Sequence, residues 1–247
     1  MIFRAIRRAV ALVFAIFLSI IRYWLLRMRG PISLERRALW GQQTARLILA
    51  CVGIKCRVEG TPPTQGLVVA NHLGIIDVVI LCADMPCFFV AKIEVGSLSF
   101  FGWAARTCGT IFLDRSSLES AMSVADQMIA RFKLQVPVLL FPEGTSTDGV
   151  QLLPFHPRLI DPATSTGTQI TTATIRYVLE GGRPEKELCW WGDEPFGTHM
   201  LKILGVAGFT AMVRFGEPRM YNDRREAADG TRAEIAATRE EMARDRD

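Results

Sequence analysis

Histidines stand at positions 72, 156 and 199, and two of them are followed five residues later by an aspartate, His72 by Asp77 and His156 by Asp161. A histidine held through one ring nitrogen by a carboxylate can take a proton through the other, which activates a hydroxyl without the protein supplying its own nucleophile. Spacing alone does not choose between the two pairs. Their surroundings do: His72 follows the apolar run Leu67-Val-Val-Ala70 and opens a turn of small residues, whereas His156 precedes Pro157 in a stretch read as a loop. His72 is therefore the expected general base and Asp77 its orienter. His156 is read as structural or site-lining, and His199 as a capping or packing residue. The sequence has no Gly-x-Ser-x-Gly nucleophile elbow.

Two more polar clusters follow apolar runs. Ile111-Phe-Leu113 leads into Asp114-Arg115, and Val138-Leu-Leu-Phe-Pro142 into Glu143-Gly144-Thr145. The planar guanidinium of Arg115 suits a phosphate or carboxylate on a substrate, and Gly144 permits close backbone approach. A surface ion pair for Asp114-Arg115 and a helix cap for Glu143 are the plainer alternatives.

Three distant clusters act together only if the elements before them end at one edge. The expected strands are Cys56–Val58, Leu67–Ala70, Cys87–Ala91, Thr110–Leu113, Val136–Phe141, Ile170–Tyr177 and Phe209–Phe215, with helices over Ile75–Cys82, Leu118–Phe132 and Thr198–Leu204. Several runs are apolar at consecutive residues, the pattern of strands covered on both faces. The expected fold is α/β, a largely parallel sheet flanked by helices, whose strand carboxyl ends share one crevice. Near the chain end, Thr231-x-x-Glu234 reads as a capping box opening a short, solvated polar helix to about Ala243.

At 247 residues, 49% hydrophobic and 22% charged, the composition argues against disorder and for membrane contact. Residues 1–60 carry eleven Lys/Arg against Glu35 and Glu59, a net +9, while the other 187 residues sum to −5. That asymmetry disfavours a nucleic-acid binder and fits a basic anchor on a near-neutral body. The apolar run over residues 9–21 is shorter than the roughly 20 residues of a spanning helix. With arginines on both sides, it is expected to lie in the membrane with Tyr23 and Trp24 at headgroup level; a single-pass anchor is the alternative. After Gly30-Pro31, Ser33 can cap a second helix to about Val52. The chain thus divides into anchoring helices over residues 1–54 and an α/β body over 55–247. Six scattered cysteines with no Cys-x-x-Cys indicate no zinc site, and read as buried apolar residues in a reducing compartment.

Asn71-His-Leu-Gly-Ile-Ile-Asp77, Gly109-Thr-Ile-Phe-Leu-Asp-Arg115 and Phe141-Pro-Glu-Gly-Thr145, in this order and at these separations, resemble the blocks of the PlsC-type glycerolipid acyltransferase family. The resemblance covers roughly residues 35–215. It implies transfer of a fatty acyl group from acyl-CoA or acyl carrier protein to a lysolipid hydroxyl at the cytoplasmic face of the cell membrane, with no further cofactor and no metal. The acceptor first in line is 1-acylglycerol-3-phosphate. By this likeness His72 and Asp77 are catalytic, Arg115 binds the acceptor's anionic group, and Glu143, Gly144 and Thr145 shape the acceptor site. Asn71 and Lys92 become candidates for positioning the substrate. The chain departs from the family pattern at Leu73-Gly74, at Ser146 where members often carry Arg, over Gln169–Arg176, and at Cys189-Trp-Trp-Gly-Asp193, which resembles a bacterial subgroup. One arginine fewer leaves another lysolipid, such as a lyso-ornithine-type aminolipid, open as acceptor. A thioester hydrolase and a non-catalytic lipid carrier are the rival readings.

Overall fold

A computed structural model describes residues 2–97, 99–114 and 116–244. In chain order the elements are α1 (Ile2–Met28), α2 (Leu34–Val52), β1 (Lys55–Glu59), β2 (Leu67–Ala70), α3 (Ile75–Asp84), β3 (Phe88–Lys92), α4 (Ile93–Ser97), α5 (Ser99–Cys108), β4 (Ile111–Leu113), α6 (Leu118–Phe132), β5 (Val138–Leu140), α7 (Pro157–Ser165), β6 (Ile170–Leu179), α8 (Phe196–Gly205), β7 (Phe209–Phe215) and α9 (Arg224–Arg244). All seven expected strands are present.

The strands form one sheet in the order β1-β7-β6-β2-β5-β3-β4. Every neighbouring pair is parallel except β6–β7. The consecutive apolar residues of β2 and β5 are buried throughout, as strands with helices on both faces must be. One apolar cluster joins Val68, Ile80, Leu139, Tyr177 and Phe209; a second, on the other side, joins Leu67, Phe88, Ile111, Met128, Val138 and Ile160. Each fully buried aliphatic or aromatic side chain contributes about 1.5–3 kcal/mol relative to its exposed state. The carboxyl ends of β2, β5, β3 and β4 lie along one edge, which collects the segments after Ala70, Leu140, Lys92 and Leu113.

The N-terminal hairpin joins this body directly. Ser33 caps α2, accepting from the Arg36 amide, and Ala45, Leu49 and Val52 of α2 enter the same core as Ile80. α1 lies against α2, where Trp40 Nε1 donates to the Ser19 carbonyl at 3.0 Å, and against α8. The buried guanidinium of Arg8 donates to the carbonyls of Leu204, Val206 and Ala207, which closes the C-terminal end of α8. Ile6, Val10, Val13, Phe14, Phe17, Trp24 and Leu25 point outward. Of the two aromatics expected at headgroup level, Trp24 is exposed. Tyr23 instead turns inward onto Trp40 and Trp103, with ring centroids 5.3 and 5.9 Å away.

Several readings change. The tail helix begins at Arg224, seven residues before the expected cap. Thr231 is buried inside it, donating to the Ala227 carbonyl, and Glu234 accepts from Thr172 Oγ1. Ala227, Ala228, Ile235 and Met242 are also buried, so α9 packs on the body along one face. His156 is the first residue before α7, whose Pro157 occupies the initial helical position, so the stretch is not a plain loop. Helices α4 and α5 were not expected. All six cysteines are free: Cys82, Cys87 and Cys189 are buried, Cys51 and Cys108 half-buried, and Cys56 exposed.

Candidate active site

The centre of the site is the turn between β2 and α3. His72 Nδ1 lies 2.8 Å from Asp77 Oδ2. The same oxygen accepts from the backbone amides of Leu73 and Gly74 at 2.6 and 2.9 Å, and Asp77 Oδ1 accepts from the Tyr177 hydroxyl. Asp77 is fully buried and four donors converge on it, so the carboxylate can only accept and Nδ1 carries the shared hydrogen. Nε2 is then the ring's proton acceptor. Burial, followed by the Asp77 charge, pushes the Tyr177 phenol upward, which keeps it a neutral donor. Asp77 also sits in the first turn of α3, where a negative charge complements the exposed amides and the helix dipole.

The backbone around His72 is held at every polar atom. Its amide donates to Glu143 Oε1 at 2.8 Å, and its carbonyl accepts from the Thr147 amide at 2.9 Å. The Leu73 carbonyl accepts from the Trp190 amide at 2.7 Å. Phe141 stacks on the imidazole with centroids 4.1 Å apart, covering one face. The His72 side chain retains 20% exposure, enough for one approach. Space at Gly74 is tight: a Cβ there would meet both the Trp190 backbone nitrogen and its Cβ at 3.3 Å.

The other expected residues separate into three groups. Glu143 is 3% exposed and spends both oxygens on backbone amides, Oε1 on His72 and Oε2 on Leu153. It braces the site through both of its oxygens. Burial raises its carboxyl from the ordinary value, against the pull of the two amides. Asn71 is likewise committed, its amide exchanging two hydrogen bonds with the Ile175 backbone and tying β2 to β6. Gly144 turns the chain after β5 with φ +74°, the left-handed region that favours glycine, and exposed Thr145 follows. Exposed Lys92 ends β3, two strands from β2 and hence roughly 10 Å along the rim. Asp114, at the end of β4, accepts from the amide and hydroxyl of Ser116. Arg115 lies outside the described residues.

The second His–Asp pair does not form. Exposed His156 is five residues from an Asp161 that faces Arg224 at 3.4 Å. His199 is fully buried and stacked on Trp190, 5.6 Å between centroids, with Nδ1 3.7 Å from Glu194 Oε2. It is a packing histidine behind the His72 turn.

Three supporting residues escaped sequence reasoning. Tyr177 was visible only as the end of a strand, yet a phenol there needs a partner for its hydroxyl. Arg239 of α9 donates to the carbonyls of Ile175 and Gly149 and to Glu185, whose other oxygen accepts from the Tyr177 amide. Trp190 clips the turn through its amide, and its carbonyl accepts from the Ser146 hydroxyl. Among the described residues, no group of three or more His, Cys, Asp or Glu is arranged to hold a metal ion.

Comparison with known proteins agrees with this architecture. A family model described as Acyltransferase matches residues 54–176. Lyso-ornithine lipid O-acyltransferase from Rhodobacter capsulatus is 39% identical over 66% of this chain and 60% of that protein; the protein of that name from Pseudomonas aeruginosa is 32% identical over 69% and 66%. The chain thus spans about three fifths to two thirds of these relatives' length. 1-acyl-sn-glycerol-3-phosphate acyltransferase from Neisseria meningitidis is 30% identical over 70% of this chain and 69% of that protein. The crystal structure of the 1-acyl-sn-glycerophosphate (LPA) acyltransferase PlsC from Thermotoga maritima superimposes with a TM-score of 0.69 over 97% of this chain and 98% of that one; at 17% identity, the likeness is one of fold. With that sheet, that turn and these relatives, the chain belongs to the acyltransferase family.

Proposed function

We propose that the protein is a membrane-bound O-acyltransferase that moves a fatty acyl group from the thioester of acyl-CoA or acyl carrier protein to a lysolipid hydroxyl. The observation that carries this reading is the braced imidazole: Nδ1 bound to buried Asp77, one ring face under Phe141, and an approach left open. His72 Nε2 takes the proton of the acceptor hydroxyl as its oxygen attacks the thioester carbonyl. The tetrahedral intermediate collapses with cleavage of the C–S bond, and the proton on His72 passes to the departing thiolate. A positioned general base contributes about 10²- to 10⁴-fold, and fixing both substrates beside it adds a further share. Asp77 acts by orientation and by opposing the charge of the imidazolium. Arg115 and Lys92, after neighbouring strands of the rim, are the cations proposed to face the acceptor or donor phosphate, with Gly144 and Thr145 lining the approach.

The outer apolar face of α1 supports attachment to the cytoplasmic face of the cell membrane, where soluble thioester donors meet lipid acceptors. α1 is long and apolar enough to cross a membrane. Its other face, however, is bound to α2 and α8 through Ser19 and Arg8, which favours a helix lying in the interface.

For the acceptor head group, lysophosphatidate is one reading and a lyso-ornithine-type aminolipid the other. Ser146 favours the second: it stands where a phosphate-binding arginine is often found, and its hydroxyl is spent on the Trp190 carbonyl. The test is an acyl-transfer assay with one labelled donor and a panel of lysophosphatidate, lyso-ornithine lipid and other lysolipids, run on wild type, His72→Ala and His156→Ala. Labelled diacyl product from wild type, a loss of about 10²-fold or more in His72→Ala, and near-normal turnover in His156→Ala are expected. Free fatty acid as the main product would replace transfer with hydrolysis, and a tightly retained lipid without turnover would indicate a carrier.

A further inference from the structure

The facing surfaces of α1 and α2 carry matched rows. On α1 the row is Arg22, Leu25, Leu26 and Arg29; on α2 it is Arg36, Leu39, Trp40 and Gln43. Both follow the i, i+3, i+4, i+7 spacing that keeps four residues on one helix face over about 10 Å. These eight residues line a groove of about 370 Å³. Its two ends differ. At one, Arg22 is engaged with Gln43 Oε1. At the other, beside the turn joining the helices, Arg29 and Arg36 are exposed, and neither side chain is bonded to an acceptor among the described residues. No acidic residue lines the groove; Glu35, the nearest in sequence, is engaged with Ser33 and its own backbone. Between the ends, Leu25 and Leu39 are more than two-fifths exposed over a floor of buried Trp40.

We infer that this groove is a binding site for one anionic glycerophospholipid of the bilayer, its phosphate between Arg29 and Arg36 and the start of an acyl chain along Leu25, Leu26, Leu39 and Trp40. One observation selects a lipid over a soluble anion and a second selects an anionic one. The apolar trough is continuous with the outward apolar row of α1 through Ile21, Trp24 and Leu25, and the cationic end carries two guanidiniums with no internal counter-charge. The site lies on the hairpin and involves none of the residues of the catalytic turn. The inference requires α1 to lie at a membrane, as proposed above, and the measurement separates the two claims.

The full-length protein is reconstituted in phosphatidylcholine vesicles with and without added phosphatidylglycerol. Vesicle flotation reports membrane binding, and native mass spectrometry after mild detergent extraction reports retained lipid. Wild type should keep one phosphatidylglycerol. The double variant Arg29→Gln/Arg36→Gln should lose it, with occupancy at least about tenfold lower. Arg7→Gln/Arg27→Gln, which removes two exposed arginines of the same helix from outside the groove, should keep it. Leu39→Trp, which fills the trough and leaves every charge in place, should also lower occupancy. Equal loss in both double variants would reduce the effect to general surface charge and overturn the site. Displacement of the lipid by inorganic phosphate would make it a soluble-anion site instead. Flotation without any retained lipid removes the groove proposal alone, whereas failure of wild type to float on either composition removes the membrane reading as well.

Discussion

Asp77 accepts from four donors at once, so losing any single donor leaves the others to carry its charge and orientation. Tyr177 is the most distant in sequence, and its hydroxyl reaches the oxygen that His72 does not use. Hydrogen bonds to charged groups contribute about 1.5–3 kcal/mol. Tyr177→Phe is therefore expected to lower unfolding free energy by about that amount and to reduce kcat, while KM for both substrates holds. A change confined to KM would mean that the phenol touches substrate and does not act through Asp77. At this scale the pairing of His72 with Asp77 was legible, because an apolar run followed by small residues leaves a polar side chain at a strand end. The real work of Glu143 and Asn71 was not. Which backbone amides a buried side chain satisfies depends on segments 10 and 104 residues away, at Leu153 and Ile175.

Among the elements, α8 backs the His72 turn through His199, which stacks on Trp190 in the segment before the helix. A Cβ on Gly74 would come within 3.5 Å of His199 Nε2. Burial lowers the basicity of this imidazole; Glu194 and Asp77 oppose that, and Lys202 adds to it. As pH falls below the ordinary histidine value of 6.5, the unfolded chain takes up the proton first, so stability present above that pH is progressively lost. His199→Phe, which keeps the stack on Trp190, is expected to flatten the stability–pH curve just below pH 6.5. An unchanged slope in denaturant titrations would show that the histidine does not control it. The central strands β2 and β5 were legible because both-face burial writes itself as consecutive apolar residues, and β7 because buried residues alternate along it. Helices α4 and α5 were not, since Gly96 and Gly102 interrupt their pattern. In α9 the buried face is mostly small, with Ala227, Ala228 and Thr231 against the body, and small residues give a faint periodic signal beside so many charges. For α7 a usable signal was present: a proline at the first helical position marks a start as readily as a break.

Across the whole molecule, the helical hairpin and the sheet form one packed body, and their junction contains a half-buried acid. Asp84, at the C-terminal end of α3, is raised from 3.8 to about 6 by burial, with Arg46 pulling the other way. Between those values the folded chain holds a proton that the unfolded chain has released, so stability declines as pH rises through this window and stays lower above it. Asp84→Asn is expected to raise the unfolding midpoint at pH 8 and to change it little at pH 4, read by thermal melts in mild detergent. The opposite order would mean that the Arg46 attraction outweighs burial. The guanidinium of Arg8, seated on the last carbonyls of α8, acts at this scale too. It fixes the rotation of α1 about its own axis relative to the element behind His72. Whatever surface receives the outer flank of α1 therefore meets the His72 imidazole at a set height and inclination, a spacing built into the protein.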